Sequence, residues 1–98
     1  MAQMIIVYWR NIPAQVIVRQ GRTMAKRQLT ERFEKAIGRA AMKARQHDTG
    51  SYLDGWRRAD PVACGDDLEA EAKAAAASLE ADYDDARLHR MIANGGLA

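Results

Sequence analysis

Two runs of apolar, mostly β-branched or aromatic residues near the N-terminus set the predicted architecture. Met4–Arg10 (MIIVYWR) and Gln15–Gln20 (QVIVRQ) are both typical of β-strands. The four residues between them, NIPA, suit a turn, because proline fixes its own φ and gives up no donor that the ladder needs there. The pattern predicts a β-hairpin with Trp9 and Arg10 at the end of its first arm.

Alternation along the first arm predicts an apolar surface on both sides of the sheet. Ile5, Val7 and Trp9 alternate with another apolar set, Met4, Ile6 and Tyr8. We therefore expect helices to cover at least one face. A third, charged strand within residues 24–29 (MAKRQL) would suit an edge of the sheet, where lysine and arginine block unwanted pairing.

Helical periodicity predicts three helices in the remainder. The first, 31–46, has Thr30 as its N-cap and one apolar stripe, made by Phe33, Ile37, Ala40, Ala41 and Ala44. A short second helix, about 50–58, would direct Tyr52, Leu53 and Trp56 inward and end before Pro61. Residues 62–65 (VACG) are predicted to be a linker.

The third helix is predicted to be long and rich in alanine, spanning about 66–93 with Asp66 as its cap. The terminal NGGLA is typical of a helix stop followed by a frayed tail. The predicted fold is thus α+β: a small antiparallel sheet of two or three strands within residues 4–29, packed by three helices. A chain of 98 residues is expected to form one domain, 1–98.

Composition and cysteine content favour a cytoplasmic protein. The single cysteine, Cys64, excludes an internal disulfide, and the first ten residues lack the basic start and long apolar run of a signal peptide. No stretch approaches the ~20 apolar residues that a membrane span requires.

The net charge of +2 hides a strong asymmetry. Residues 1–58 contain twelve Lys/Arg and four acids, a charge of +8, whereas residues 59–98 contain three Lys/Arg and nine acids, a charge of −6. The basic half could meet an acidic partner or a phosphate backbone. The acidic C-terminal helix could equally fold back and neutralise it, and both interpretations stay open at this point.

No residue pattern indicates catalysis, a cofactor or a metal site. Cys64 precedes a predicted helix start, but Asp66 and Asp67 would oppose a thiolate there. His47 and His89 stand at no metal-ligand spacing from each other or from the cysteine. We expect no catalytic residue, no cofactor and no metal.

Two segments are candidates for contact with a partner. One is the corner at the end of the first strand, Trp9, Arg10, Asn11, Ile12 and Pro13; the other is the basic run that contains Arg22, Lys26 and Arg27. We expect Arg10 and the loop 11–13 to lie at the surface, since Trp and Arg recur in protein–protein hot spots. The alternatives are that Trp9 anchors the core and that Arg10 pairs internally with Glu80 or Asp84.

The segments IVYWRNIPAQVIVRQGR, LTERFEKAIGRAAMKA, YLDGWRRADP and DDLEAEAKAAAASLEADYDDARL resemble a family of small bacterial proteins labelled "virulence factor". The YWR-x-IPAQV run is the most specific part of the resemblance, which covers nearly the whole chain. In that family the stand-alone form is typical of proteobacteria and is often encoded beside genes for folate- and corrinoid-dependent methyl transfer. The family label implies no catalytic residues.

Two function classes follow. The resemblance implies a non-catalytic accessory protein that docks onto a folate or corrinoid enzyme, such as one of the methylenetetrahydrofolate reductase type. The alternative is a nucleic-acid-binding module that uses the basic half, 1–58. An enzyme that uses Cys64 ranks last.

Overall fold

The computed structural model of the chain describes residues 2–45 and 49–97. Within those residues the chain forms five strands and four helices, whose bounds are β1 Ala2–Trp9, β2 Ile12–Gln20, β3 Thr23–Gln28, α1 Glu31–Lys43, α2 Thr49–Asp54, β4 Trp56–Arg58, β5 Val62–Cys64, α3 Leu68–Asp82 and α4 Asp85–Ala93. The α+β class and the antiparallel sheet are confirmed, but the sheet has five strands where two or three were predicted. The predicted third, charged strand is confirmed as β3.

The sheet has the order β3-β2-β1-β4, and β5 also pairs with β1. β4 lies against one end of β1 and β5 against the other, while the Ala59 amide between them donates to the Ile6 carbonyl at 2.9 Å. The outer edge of β1 is therefore paired at both ends and at its middle, which leaves few backbone groups unsatisfied.

These two short strands correct the predictions for residues 50–58 and 62–65. The second helix ends at Asp54, and Trp56–Arg58 is a strand; the expected linker contains a second strand, Val62–Cys64. The spacing of Tyr52 and Trp56 suits a helix, yet the demand of β1 for backbone partners overrides it. Pro61 lies between the two strands, where a missing amide donor interrupts no pairing.

The hairpin turn is shorter than predicted. It consists of Arg10 and Asn11 alone, and Ile12 and Pro13 already belong to β2. Val7 pairs with Gln15 and Tyr8 with Pro13, so that Ala14 forms a bulge. A bulge is a position in a sheet that tolerates proline, and it explains how this proline sits inside a strand.

Helices cover one face of the sheet. α3 packs on β2 and β3, and α1 packs against α4 and β2. The core between them contains Val16, Val18 and Ala25 from the sheet and, from the helices, Phe33, Ile37, Ala40, Ala41, Leu68, Ala72, Ala76, Leu88 and Met91. The expectation that at least one face is covered is confirmed, and the small side chains of α3 permit its close approach.

The predicted long C-terminal helix is two helices. α3 ends at Asp82, and Asp84 caps α4 by accepting a bond from the Arg87 amide at 2.8 Å. α3 in turn is capped by Asp67, whose side chain accepts from the Ala70 amide at 3.2 Å, and not by Asp66. An aspartate that accepts from the backbone two or three residues ahead favours a new helix start over continuation.

The C-terminal tail is also ordered where fraying was predicted. Gly95 and Gly96 both have positive φ, 68° and 90°, and the Asn11 amide donates to the Gly96 carbonyl at 2.9 Å. A side-chain Cβ at Gly96 would lie 2.7 Å from Cζ3 of Trp9, so only glycine permits this approach. The tail therefore closes over the hairpin turn.

The first helix is shorter than its predicted range, because α1 ends at Lys43 with Ala44 as its C-cap. Residue 46, the last residue of the predicted helix, lies outside the described residues, and so do His47 and Asp48. No helix within the described part of the chain is long and apolar enough to cross a membrane.

Candidate partner-binding face

The sheet face opposite α3 carries the candidate site, which we call the open face. In antiparallel pairs, directly opposed residues share a face, so the register identifies its members. Ile5 pairs with Ile17, and Ile17 pairs in turn with Lys26 of β3. The same rule gives Gln3, Ile5, Val7, Gln15, Ile17, Arg19, Met24, Lys26, Gln28, Arg58 and Ala63 and, at the hairpin end of the face, the buried Trp9 with its partners Ile12 and Trp56.

The centre of the open face is apolar. Ile5 and Ile17 are only 4% and 2% exposed, yet neither belongs to the cluster that packs beneath the helices. They lie beside each other in the register and next to Arg19 and Lys26, whose long aliphatic stems can cover neighbouring apolar surface. The neighbours that the register places around this centre thus include cations with long aliphatic stems.

The rim of the open face is positive. Arg19, Lys26 and Arg58 lie on it, no Asp or Glu does, and none of these three cations forms an ion pair within the described residues. The Met24 side chain is 51% exposed and can adapt to a partner's shape. An apolar centre with a cationic rim matches a protein surface bordered by acids.

The corner Trp9–Pro13 is not the exposed loop that the sequence suggested. Trp9 and Ile12 are fully buried and Pro13 nearly so, which overturns the expectation that residues 11–13 all lie at the surface. The Trp9 Nε1–H donates to the Tyr52 carbonyl at 2.7 Å, and the two rings stack with centroids 5.9 Å apart. The core-anchor alternative for Trp9 is the one that the structure shows, because the two-residue turn draws this corner inward.

Arg10 makes an internal contact, but a different one from the pair proposed. Its Nη1 donates to the Gly95 carbonyl at 3.0 Å, and its guanidinium lies 5.3 Å from the Trp9 ring centroid. Glu80, the expected partner, pairs with Arg32 instead at 3.0 Å. The prediction of a pair with Glu80 or Asp84 is wrong, and Arg10 and Asn11 are half-buried in a turn held by the C-terminal tail.

The second candidate segment, which contains Arg22, Lys26 and Arg27, is exposed, but these three residues lie on different surfaces. Lys26 lies on the open face, whereas Arg27 pairs with Val16 on the helix-covered face and Arg22 lies in the β2–β3 turn. The corner and this turn lie at opposite ends of the nine-residue β2, roughly 27 Å apart at ~3.3 Å per residue. The structure thus brings the two predicted segments into no common site. Whether any of these residues binds a partner stays a prediction.

Sequence reasoning missed two cations of the open face, Arg19 and Arg58. The signal for Arg19 was present, because it alternates with Ile17 and Gln15 along a predicted strand. No local signal marks Arg58, which joins the face only through the pairing of β4 with Val7.

The structure shows that the acidic C-terminal half neutralises part of the basic half. Arg32 of α1 pairs with Glu80 at 3.0 Å and with Asp85 at 3.4 Å, so acids of the C-terminal half do fold back onto the basic half. Gln20 adds a bond to Asp66 at 3.3 Å. These contacts lie on the helical side and leave the cations of the open face available.

Cys64 lies half-buried in β5 beside α3. Burial raises the pKa of its thiol, and the carboxylates of Glu71 and Asp66 raise it further. The thiol is therefore protonated at neutral pH, which is the opposite of what a nucleophilic cysteine requires. No group of three or more His, Cys, Asp or Glu able to hold a metal occurs in the described residues.

We expect Cys64 to react with iodoacetamide more slowly in the folded protein than in urea at the same pH. The raised pKa lowers the thiolate fraction, and the thiolate is the reactive species. Since the unfolded thiol ionises at lower pH, this group's contribution to stability should fall as pH rises through about 8.5, its unfolded pKa. Mass spectrometry of alkylated protein against pH tests this, and equal rates in both states would contradict it.

Comparison with known proteins gives one match. A family model described as "Virulence factor" matches residues 7–92. No curated protein and no solved structure matches the chain. The matched range includes most of the open face, from Val7 on β1 to Ala63 on β5, and begins after Gln3 and Ile5.

Proposed function

The chain belongs to the virulence factor family, and we propose that it is a non-catalytic protein-binding module whose open face docks onto an acidic surface of a larger partner. The observation that carries this proposal is the combination on one sheet face of an apolar centre, Ile5 and Ile17, with three cations that form no ion pair within the described residues. Complementary charge steers association and fixes register, while displaced side-chain stems expose the apolar centre for contact.

Folate- and corrinoid-dependent methyl-transfer enzymes, including those of the methylenetetrahydrofolate reductase type, are the partners that we propose to test first. Support for this choice comes from the family resemblance, which implies that genes for folate- and corrinoid-dependent methyl transfer are frequent neighbours. The accessory role itself is supported by the open face, whose apolar centre and cationic rim form a contact surface.

The test measures binding of the purified chain to a purified methylenetetrahydrofolate reductase-type enzyme and to a corrinoid methyltransferase from a proteobacterium. The variant combines Arg19→Gln, Lys26→Gln and Arg58→Gln, which removes the three cations and keeps side-chain length. We expect its Kd to rise by at least about tenfold, since interface charges and their apolar neighbours act together.

A matched control removes the same net charge elsewhere, through Arg39→Gln, Lys43→Gln and Lys73→Gln. These three residues are exposed and lie on α1 and α3. Its Kd should stay within about twofold of the wild type. Equal weakening by both variants would contradict a specific face, and failure of the wild-type chain to bind either enzyme would reject the proposed partners.

Nucleic acid is the second candidate, and the +8 charge of residues 1–58 favours it. Against it, the two rings that the register assigns to the open face are Trp9, which is fully buried, and Trp56, which is half-buried against Tyr52, so neither is a fully exposed platform for a base. Titration of a labelled single-stranded oligonucleotide distinguishes the two. Phosphate contact requires affinity to fall steeply with salt, by roughly a thousandfold between 50 and 200 mM for six or more contacts.

A further inference from the structure

A second charged surface lies at the end of the molecule remote from the β2–β3 turn. Arg87, Arg90, Met91 and Asn94 of α4 and its C-cap line a cleft of about 310 Å³. The residues at 87, 90 and 94 follow a helical spacing that places them on one side of α4. The two guanidiniums are the only charged groups in this lining, which makes the cleft positive.

The hairpin turn adds cations beside this cleft. Asn94 is followed directly by Gly95, whose carbonyl accepts from Arg10 at 3.0 Å. Arg57 approaches the same turn, where its Nε donates to the Arg10 carbonyl at 2.8 Å and its Nη2 to the Asn11 Oδ1 at 3.3 Å. The C-terminal tail thus joins the α4 cleft to a turn that carries two further guanidiniums.

Stacking on tyrosine rings orients the guanidiniums of Arg57 and Arg87. The Arg57 guanidinium lies 4.5 Å from the Tyr8 ring centroid, and that of Arg87 lies 3.9 Å from the Tyr83 centroid. A stacked guanidinium keeps its in-plane N–H donors directed outward, and less freedom is lost when it binds. Arg87 is therefore preorganised to bind an anion, while Arg57, whose Nε and Nη2 are bonded to the turn, adds positive charge beside the cleft.

The Tyr8 phenol lies close enough to both Arg57 and Arg87 for their charges to affect its pKa. Burial raises the pKa of its phenol, the nearby Tyr83 raises it further, and the guanidiniums of Arg57 and Arg87 act in the opposite direction. The phenol is protonated at neutral pH and can donate a hydrogen bond.

The two carboxylates that precede Arg87 on α4 and at its N-cap are engaged elsewhere. The Asp84 side chain accepts from the Arg87 backbone amide as a helix cap, and Asp85 pairs with Arg32. The Arg87 guanidinium donates to the carbonyl of Asp82 at 3.2 Å and stacks on Tyr83. Within the described residues neither Arg87 nor Arg90 has a carboxylate partner, and their charge is left to a ligand.

We propose that the α4 cleft binds a phosphate group carried by a small ligand. Paired guanidiniums match the oxygens of a phosphate in a bidentate manner, and the Asn94 amide can add a donor. The cleft volume of about 310 Å³ is at the low end for ligand sites and suits a phosphate with a small attached group. None of its four lining residues belongs to the open face, so the site is independent of the docking proposal.

The test is an NMR titration of the arginine Nε–Hε signals with pyrophosphate, and citrate serves as the carboxylate comparison. We expect the signals of Arg87 and Arg90 to shift and saturate with pyrophosphate and to bind citrate more weakly. The double variant Arg87→Gln, Arg90→Gln should raise the pyrophosphate Kd by at least about tenfold. Arg39→Gln with Lys43→Gln removes the same charge from α1 and should leave Kd unchanged.

Arg90→Gln alone keeps the Tyr83 stack intact and should still weaken binding, which keeps the test valid if the double variant unfolds. Absence of saturation with pyrophosphate in the wild type would overturn the proposal. Citrate binding as tight as that of pyrophosphate would overturn the assignment to phosphate, and equal weakening in the α1 control would show that net charge alone is responsible.

Discussion

Replacing Trp9 with alanine is expected to lower the free energy of unfolding by about 3–5 kcal/mol, the largest effect of any single substitution in this chain. A domain of this size has a total stability of roughly 5–15 kcal/mol. We therefore expect the midpoint of thermal unfolding to fall by more than about 10 °C.

The reason is that Trp9 joins four separate parts of the fold. Its ring is fully buried, stacks on Tyr52 and donates through Nε1 to the Tyr52 carbonyl. The same ring lies against Gly55 and Gly96, where an added Cβ would be 2.4 and 2.7 Å from ring atoms. Alanine would leave a cavity that borders α2, the start of β4 and the C-terminal tail, and it would remove the shorter of the two hydrogen bonds that the Tyr52 carbonyl accepts, the other coming from the Gly55 amide at 3.2 Å.

Urea denaturation with two control variants measures this effect. Trp9→Phe keeps most of the ring but removes the N–H donor, and we expect a loss of about 1–2 kcal/mol. Trp56→Ala removes an equally large ring that is only half-buried, so its loss should be smaller than that of Trp9→Ala. Similar losses for Trp9→Ala and Trp56→Ala would show that Trp9 is not the anchor.

Arg32→Ala should produce the second largest loss, about 2–3 kcal/mol. The Arg32 guanidinium donates to the carbonyls of Glu80 and Tyr83 at 2.6 and 2.5 Å, and it also contacts the Glu80 and Asp85 carboxylates. Those carbonyls belong to the last turn of α3, where no intrahelical donor remains for them. The Arg32 side chain thus binds backbone carbonyls at the junction between α3 and α4.

Lys35→Ala is the matched control, because Lys35 is a cation on the same helix whose contact with Glu31 is exposed at 3.6 Å. Such a pair contributes about 0.5 kcal/mol or less. Arg32→Lys should lie between the two, since an ammonium keeps the charge but lacks the planar fork. If Arg32→Ala and Lys35→Ala unfold at the same urea concentration, the junction does not depend on Arg32.

Local patterns were sufficient for part of the fold. The first two strands follow from β-branched and aromatic runs, and α1 follows from the stripe of Phe33, Ile37 and Ala40. Thr30 does occupy the N-cap position of α1, although its hydroxyl donates to Glu80 at 2.9 Å and caps nothing in its own helix. That bond joins residues fifty positions apart, and no local pattern contains it.

The predictions that were wrong also depend on contacts between residues that are distant in the sequence. Residues 56–58 and 62–64 form strands because they supply backbone partners to β1, which lies in another part of the sequence. The break at Tyr83–Asp84 lets α4 pack on α1, although the alanine-rich sequence on its own favours one helix. Trp9 is a core residue and not the exposed hot spot that was suspected, because Tyr52, Gly55 and Gly96, all distant in the sequence, pack on its ring.

The candidate site could be predicted only in outline. An excess of positive charge in the first half is visible in the sequence, and Lys26 was identified as a candidate. Which cations share a face depends on strand register across β4, β1, β2 and β3, and register is set by pairing that the sequence does not show locally.

The most direct test of the docking account is an NMR experiment on the isoleucine δ1 methyl groups in complex with the methylenetetrahydrofolate reductase-type enzyme. Ile5 and Ile17 lie on the open face, whereas Ile37 of α1 packs in the helical core and Ile92 of α4 packs beside it. The account predicts that the Ile5 and Ile17 methyl signals shift or broaden on binding while those of Ile37 and Ile92 stay in place. Perturbation confined to Ile37 and Ile92, with Ile5 and Ile17 unchanged, would contradict it.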